Sequence, residues 1–188
     1  MGKRTDSRDR TVAAAERLFR ARGVAGTGLR EVVDAAGTAR GGLGHHFPGG
    51  KEELVTEVVQ RTGARIAELL GALRDVRPPP APADVVRAVV GLWREELRRT
   101  DYALGCPLAA CVVDGAVEHP GVRAAVAAAL DSWEEPLAVL LDGAPRTPGR
   151  GVAVALLCAL EGAVVIARAR RDLTPLDDVE RVFADVVD

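Results

Sequence analysis

The sequence predicts an all-α protein of about nine helices, with an N-terminal three-helix unit ahead of a larger helical body. Three observations carry this. Apolar residues recur at three- and four-residue spacings in every long segment, and none shows the sustained alternation of a strand. Glycine and proline fall between these segments, at Gly23, Gly37, Pro48-Gly49-Gly50, the run Pro78 to Pro82 and His119-Pro120-Gly121, where they stop helices. Aromatics make up 3% of the 188 residues against 48% hydrophobic, so aliphatic contacts must build the core. That length suits one ordinary core plus a small appended domain.

Helix 1 is expected from Asp6 to Arg22, with Val12, Ala15, Leu18 and Phe19 inward and Gly23 as its stop. Leu29, Val32, Val33 and Ala36 place one stripe on a short helix 2, ended by the glycine turn at Gly37. Helix 3 spans Ala39 to Phe47, and Leu43 and Phe47, four apart, face the core. Helix 4 spans Gly50 to Val76, with Leu54, Val58, Ile66, Leu69, Leu70 and Leu73 inward, and at 1.5 Å per residue is roughly 40 Å long. The proline run cannot be helix interior, so it marks a boundary, and Asp84 is the expected N-cap of helix 5, Val85 to Arg99, whose inner face is Val86, Val89, Val90, Trp93 and Leu97. Helix 6 runs from Pro107 to Val117 and helix 7 from Val122 to Leu141, kinked by Pro136. Asp142 to Gly149 reads as a loop. Helix 8, Arg150 to Arg171, is almost entirely apolar from Val152 to Ala167; Thr174 as N-cap and Pro175 at the first helical position open helix 9, which ends at Val187. The domains expected are 1–51 and 52–188, with helix 4 (50–76) as connector.

Charge divides along the same line. Residues 1–51 hold ten Lys and Arg against five Asp and Glu, a balance of +5; residues 52–188 hold fifteen against twenty-two, a balance of −7. A net charge of −2 argues against a chain that coats nucleic acid along its whole length, whereas a basic head on an acidic body suits one part that meets phosphate and another that does not. No Gly-rich phosphate loop, HExxH or nucleophile elbow is present, so the chain does not read as an enzyme, and no cofactor is implied. The start, Met1-Gly2-Lys3-Arg4-Thr5-Asp6, is charged and no run of 18 apolar residues occurs; the expectation is a cytoplasmic protein without a membrane span.

Two short helices joined by a tight glycine turn, about residues 28–47, have the geometry that sets the second helix into a DNA major groove. The candidate contacts follow from the chemistry of base edges and phosphates. Arg40 can pair with guanine O6 and N7 or hold a phosphate. His45, His46 and Thr38 can donate to phosphate, and Thr38 is also a possible N-cap. Lys51, in the first turn of helix 4, and Arg30, in the first turn of helix 2, add charge where helix N-termini favour anions. Thr27 can bring its hydroxyl to the start of helix 2. Gly41, Gly42 and Gly44 complete the candidate reading helix. Adjacent histidines diverge by about 100° on a helix, so His45 and His46 do not make a two-ligand metal face.

These residues resemble the TetR family of transcriptional regulators. Ala14-Ala15-Glu16-Arg17-Leu18-Phe19 before Gly23, then Gly37-Thr38-Ala39-Arg40-Gly41-Gly42-Leu43-Gly44-His45-His46-Phe47 and Lys51, follow the family's pattern. HHFPGGKEEL, Gly105-Cys106-Pro107-Leu108-Ala109-Ala110 and Leu160-Glu161-Gly162-Ala163 are similar to its LmrA/YxaF-like branch. The resemblance implies a homodimeric, ligand-released repressor of a palindromic double-stranded DNA operator. Two positions depart from it: Gly44 stands where the family has a phosphate-holding tyrosine, and Gly28 where a Ser or Thr usually starts helix 2, with Thr27 as its expected substitute.

Helix 8 is apolar on nearly every face and needs cover on nearly every face, which pairing of helices 8 and 9 with a second subunit would supply. A small, mostly apolar effector is expected among helices 5 to 8, lined by Trp93, Leu97, Leu104, Cys111, Trp133, Leu137, Leu157 and Glu161. Glu161 and Asp114 stand in apolar runs and need partners. Cys106, Cys111 and Cys158 lack metal-ligand spacing and read as small buried apolar residues, with a thiol-responsive repressor as the sharper alternative. A helical interaction protein with a degenerate helix-turn-helix is the other alternative.

Gly41, Gly42 and Gly44 together cost about 2–3 kcal/mol of helix propensity relative to alanine. In the DNA-free protein, hydrogen–deuterium exchange should therefore find the amides of residues 40–46 exchanging faster than those of helix 4. Equal protection in the two helices would contradict this.

Overall fold

Helix follows helix along the chain, as the apolar spacing requires. The computed structural model describes residues 2–142 and 149–188, without the side chains of residues 2–5 and of Arg40. Among the described residues the order is α1 (Gly2–Arg22), α2 (Leu29–Ala36), α3 (Arg40–His46), α4 (Gly50–Arg74), α5 (Pro82–Arg99), α6 (Pro107–Val113), a 3-10 turn at Ala116–Glu118, α7 (Pro120–Leu140), α8 (Gly149–Arg170) and α9 (Thr174–Val187), with no strand. The chain packs as two units. One joins Met1–Gly63 to Cys106–Ala129 and the other joins Ala64–Gly105 to Leu130–Asp188.

In the first unit, α1 packs on α2 and on α6, and α2 on α3. Val12, Ala15, Phe19, Val32, Val33, Phe47, Leu54 and Val58 are buried, most of the stripe read from periodicity. α2 ends in a Schellman motif. Gly37 sits at φ +59, its N–H donates to Asp34 O and the Thr38 N–H to Val33 O, both at 3.2 Å, so the last carbonyls of the helix are satisfied as the chain turns. α4 and α7 approach so closely that a Cβ on Gly63 would stand 2.8 Å from Ala129 Cβ.

In the second unit α9 packs on α5 and α8. Arg94 of α5 reaches Asp177 at 2.7 Å and Glu180 at 2.8 Å on α9, and these carboxylates hold its guanidinium firmly charged. Asp101 and Tyr102 carry left-handed backbone, φ +49 and +61, which costs free energy in non-glycine residues. Arg168 offsets that cost by donating to Tyr102 O and Ala103 O at 3.2 and 2.9 Å, and Arg171 pairs with Asp101.

Helix ends differ from expectation in instructive ways. α5 starts at Pro82 with Ala81 as N-cap, because proline fits the first turn; Asp84 falls inside that turn and pairs with Arg87 instead of capping. α6 stops at Val113 rather than Val117, since Gly115 takes φ +73 and the chain tightens into the 3-10 turn. α9 includes Thr174, and Asp172 accepts from its N–H and hydroxyl at 3.1 and 3.0 Å; the Thr174 N–H is the largest influence holding the Asp172 carboxyl below its usual range. Leu69, expected inward, is 42% exposed. Pro136 lies inside α7 without ending it. Residues 143–148 of the expected Asp142–Gly149 loop lie outside the described residues.

The α4–α7 approach gives a stability test. Gly63→Ala should lower the thermal midpoint by several degrees, about 1–3 kcal/mol of overpacking, and Ala129→Gly in the same chain should recover part of it. A calorimetric midpoint unchanged by Gly63→Ala would refute the close packing.

Candidate nucleic-acid interface

The reading helix is positioned from its C-terminal end. Phe47 is 1% exposed and its N–H closes α3 onto Leu43 O at 2.8 Å. The Arg8 guanidinium lies 5.0 Å from the Phe47 ring centroid, and the same guanidinium donates two hydrogen bonds to Glu57, at 2.6 and 3.1 Å. Arg61, one turn along α4, bonds Glu57 at 2.7 Å and Asp9 at 2.8 Å. α1 and α4 are thereby tied together over the residue that anchors α3. The Arg8 hydrogen bond, more than any other influence, holds the Glu57 carboxyl below its usual range, with Arg61 adding to it against the opposing effect of burial. Of this network only the Glu57–Arg61 spacing, i to i+4, was visible in sequence.

With Phe47 inside, Gly41, Gly44 and His45 are exposed along one side of α3, while Gly42, Leu43 and His46 are half-buried. A Cβ at Gly41 or Gly44 would meet nothing within 4 Å, so that side is open backbone with room beside it. The two histidine rings lie edge to face, centroids 5.4 Å apart, with His46 turned toward Phe47 at 6.5 Å. The Arg40 side chain, the expected base reader, lies outside the described residues. Arg30 is exposed in the first turn of α2 and Lys51 half-buried in the first turn of α4.

Two expected contacts are corrected. Thr27 is 1% exposed and its hydroxyl donates to Gly23 O at 2.8 Å; it holds the α1–α2 turn and is withdrawn from the interface. It does not replace the missing Ser or Thr either. Gly28 is the N-cap of α2, and having no side chain it makes only half of a capping box, its N–H donating to Glu31 Oε2 at 2.8 Å. That bond, and then the charge of Arg22, hold the Glu31 carboxyl below its usual range. Thr38 is not the N-cap of α3, a position taken by Ala39 without a side-chain bond; its hydroxyl lies 3.5 Å from that of Thr11.

The expected effector lining separates. Trp93, Leu97, Leu104, Trp133, Leu137, Leu157 and Glu161 belong to the second unit, whereas Cys111 belongs to the first. Leu97, Trp133 and Leu137 are buried, the others of the seven half-buried. A described groove of about 330 Å³ lies elsewhere, between α8 and α9, and none of the eight residues borders it. Cys111 is fully buried, and burial, helped by the nearby Asp114 charge, pushes its thiol up to about 11; Cys106 is buried too, while Cys158 is exposed, against the reading of all three as buried.

Comparison with known proteins decides what this head belongs to. Residues 12–58 match the family model for bacterial regulatory proteins of the tetR family, and residues 82–182 match the C-terminal domain model of LmrA/YxaF-like transcriptional regulators. The chain belongs to the TetR family of transcriptional regulators. It falls in the LmrA/YxaF-like branch and is a DNA-binding regulator, not an enzyme. An uncharacterised HTH-type transcriptional regulator of Mycobacterium tuberculosis is 35% identical across 96% of this chain and 93% of its own. The HTH-type transcriptional regulator LmrA of Bacillus subtilis is 26% identical, with 97% of each chain covered. A TetR regulatory protein of Rhodobacter sphaeroides has the same fold, TM-score 0.85 at 21% identity, over 94% of this chain and 96% of that one.

The Glu57 network gives a pH-dependent prediction. A carboxyl depressed in the folded state contributes stability above its ordinary value of 4.5 and loses it as pH falls through the lower folded value. Glu57→Gln should therefore cost about 1–3 kcal/mol near pH 7, a cost that shrinks progressively below about pH 4.5. A penalty independent of pH in denaturant titrations would exclude this role.

Proposed function

We propose that this TetR-family regulator is a repressor released from its operator by a small, mostly apolar molecule, and that it works in the cytoplasm as a homodimer on palindromic double-stranded DNA. The observation that carries the reading is the outward side of α3, where Gly41, Gly44 and His45 face solvent while Phe47 is locked beneath Arg8. A helix without side chains at two outward positions can bring its backbone close to the groove, leaving base reading to Arg40 and phosphate contacts to Arg30, Thr38, His45, His46 and Lys51. The working division is 1–51 for DNA binding and 52–188 for effector and partner, with α4 as connector.

Dimerisation is assigned to α8 and α9. α8 is long and apolar enough to cross a membrane by length and composition, with a mean hydropathy of 2.1, yet only 39% of that stretch is buried within the chain. Val154, Val165 and Ile166 on α8, with Val182 and Val186 on α9, are exposed apolar surface of the kind a second copy covers. The half-buried Glu161, midway along α8, favours protein rather than lipid as that cover. The effector is assigned to the second unit, among Trp93, Leu97, Leu104, Trp133, Leu137 and Leu157, with Glu161 as its polar anchor.

Binding to a duplex enriched by the wild-type protein from a random pool tests the reading. Arg40→Ala should weaken binding by about 5- to 150-fold, about 1–3 kcal/mol, and Ile166→Glu should give monomers by light scattering that no longer hold both half-sites. Equal binding of enriched and random duplexes at every salt concentration would point to the degenerate-head alternative.

A further inference from the structure

The turn between α1 and α2 is held by a carboxylate from far along the chain. Asp114, the C-cap residue of α6, accepts the Ala25 N–H at 3.1 Å, across a separation of 89 residues. Gly23 makes this possible in two ways. It takes φ +82, which stops α1, and a Cβ there would overlap Asp114 Oδ2. All three residues lie in one unit, with α6 packed on α1 and Cys111, one turn before Asp114, buried. The turn's other bonds are local: Thr27 Oγ1 to Gly23 O, the Thr27 N–H to Val24 O, and the Gly28 N–H to Glu31. Asp114 is thus the described polar contact that ties this turn to a segment outside the three-helix head.

We propose that Asp114 is a positioning residue for operator binding: by accepting the Ala25 N–H it sets the turn from which α2 and α3 depart, and so the approach of the reading helix to DNA. It touches no base or phosphate. The proposal rests on the DNA-binding reading and adds to it the point at which α6 reaches the head.

Charge and position make opposite predictions for Asp114→Ala. Removing an acid that touches the DNA-binding head strengthens binding to any duplex through the electrostatic, sequence-independent contribution. Losing the position of α3 weakens binding to the selected duplex alone. The experiment compares the wild type, Asp114→Ala and Asp114→Asn on a duplex enriched by the wild type from a random pool and on a random duplex of equal length, with amide exchange at Ala25 and the thermal midpoint measured alongside. Asp114→Ala is expected to bind the enriched duplex at least tenfold more weakly, to bind the random duplex as well as the wild type or better, and to exchange the Ala25 amide at least tenfold faster. Asp114→Asn, which keeps an oxygen acceptor in place, is expected within threefold of the wild type on the enriched duplex. Enriched-duplex binding by Asp114→Ala equal to the wild type overturns the proposal, as does an equal loss on both duplexes. Should Asp114→Ala fail to fold, Asp114→Glu decides: it keeps the charge but displaces the carboxylate by one methylene, and wild-type affinity for the enriched duplex overturns the positioning role. A wild-type protein that enriches no sequence overturns the recognition reading itself, and this proposal with it.

Discussion

The burial of Phe47 beneath the Arg8 guanidinium is the constraint on which the DNA-binding head depends. An aromatic ring at the end of a seven-residue helix rich in glycine supplies the tertiary anchor that local propensity cannot. Arg8 covers the ring from α1 and is itself held by Glu57 of α4, so three helices meet at one point. With the C-terminal end of α3 pinned, rotation of the helix is settled, and its glycine-bare side faces outward. The Schellman turn at Gly37 does the same at the other end by satisfying the last carbonyls of α2 while reversing the chain.

The body is organised by a different force. α8 is too apolar to be left in water, and α9 and α5 cover only part of it. Arginines manage the polar edges of this apolar layer. Arg94 fastens α5 to α9 through two carboxylates, and Arg168 and Arg171 hold the left-handed backbone at Asp101 and Tyr102.

Much of this was legible in the residues. The helix-turn-helix, the glycine stops and the inner stripes of α1, α2 and α5 follow from spacing alone, because helical periodicity is a property of near neighbours. Caps were less legible. Thr27, Thr38, Asp84 and Thr174 all look like N-caps by residue type, yet each lies one to three residues from the cap position or bonds elsewhere, since Ala39, Ala81 and Leu173 occupy those positions in structure. Leu69 misled because a stripe read on a long helix does not say where the covering partner ends. The effector lining was assembled from helix order, and the division of the chain into two units placed Cys111 apart from the rest.

The sequence by itself determined the all-helical fold, the helix-turn-helix of about residues 28–47, the basic head on an acidic body and the kinship with TetR regulators; these rest on the order and spacing of neighbouring residues. Only the tertiary structure decided which polar groups are spent inside the protein and which remain for DNA. Thr27 turned inward, Arg8 came to rest over Phe47, and Asp114 reached Ala25 across 89 residues. The physical reason is that a hydrogen bond or a cation over a ring has a range of a few ångströms, and which residues come that close is settled by packing, long after the helices themselves are specified.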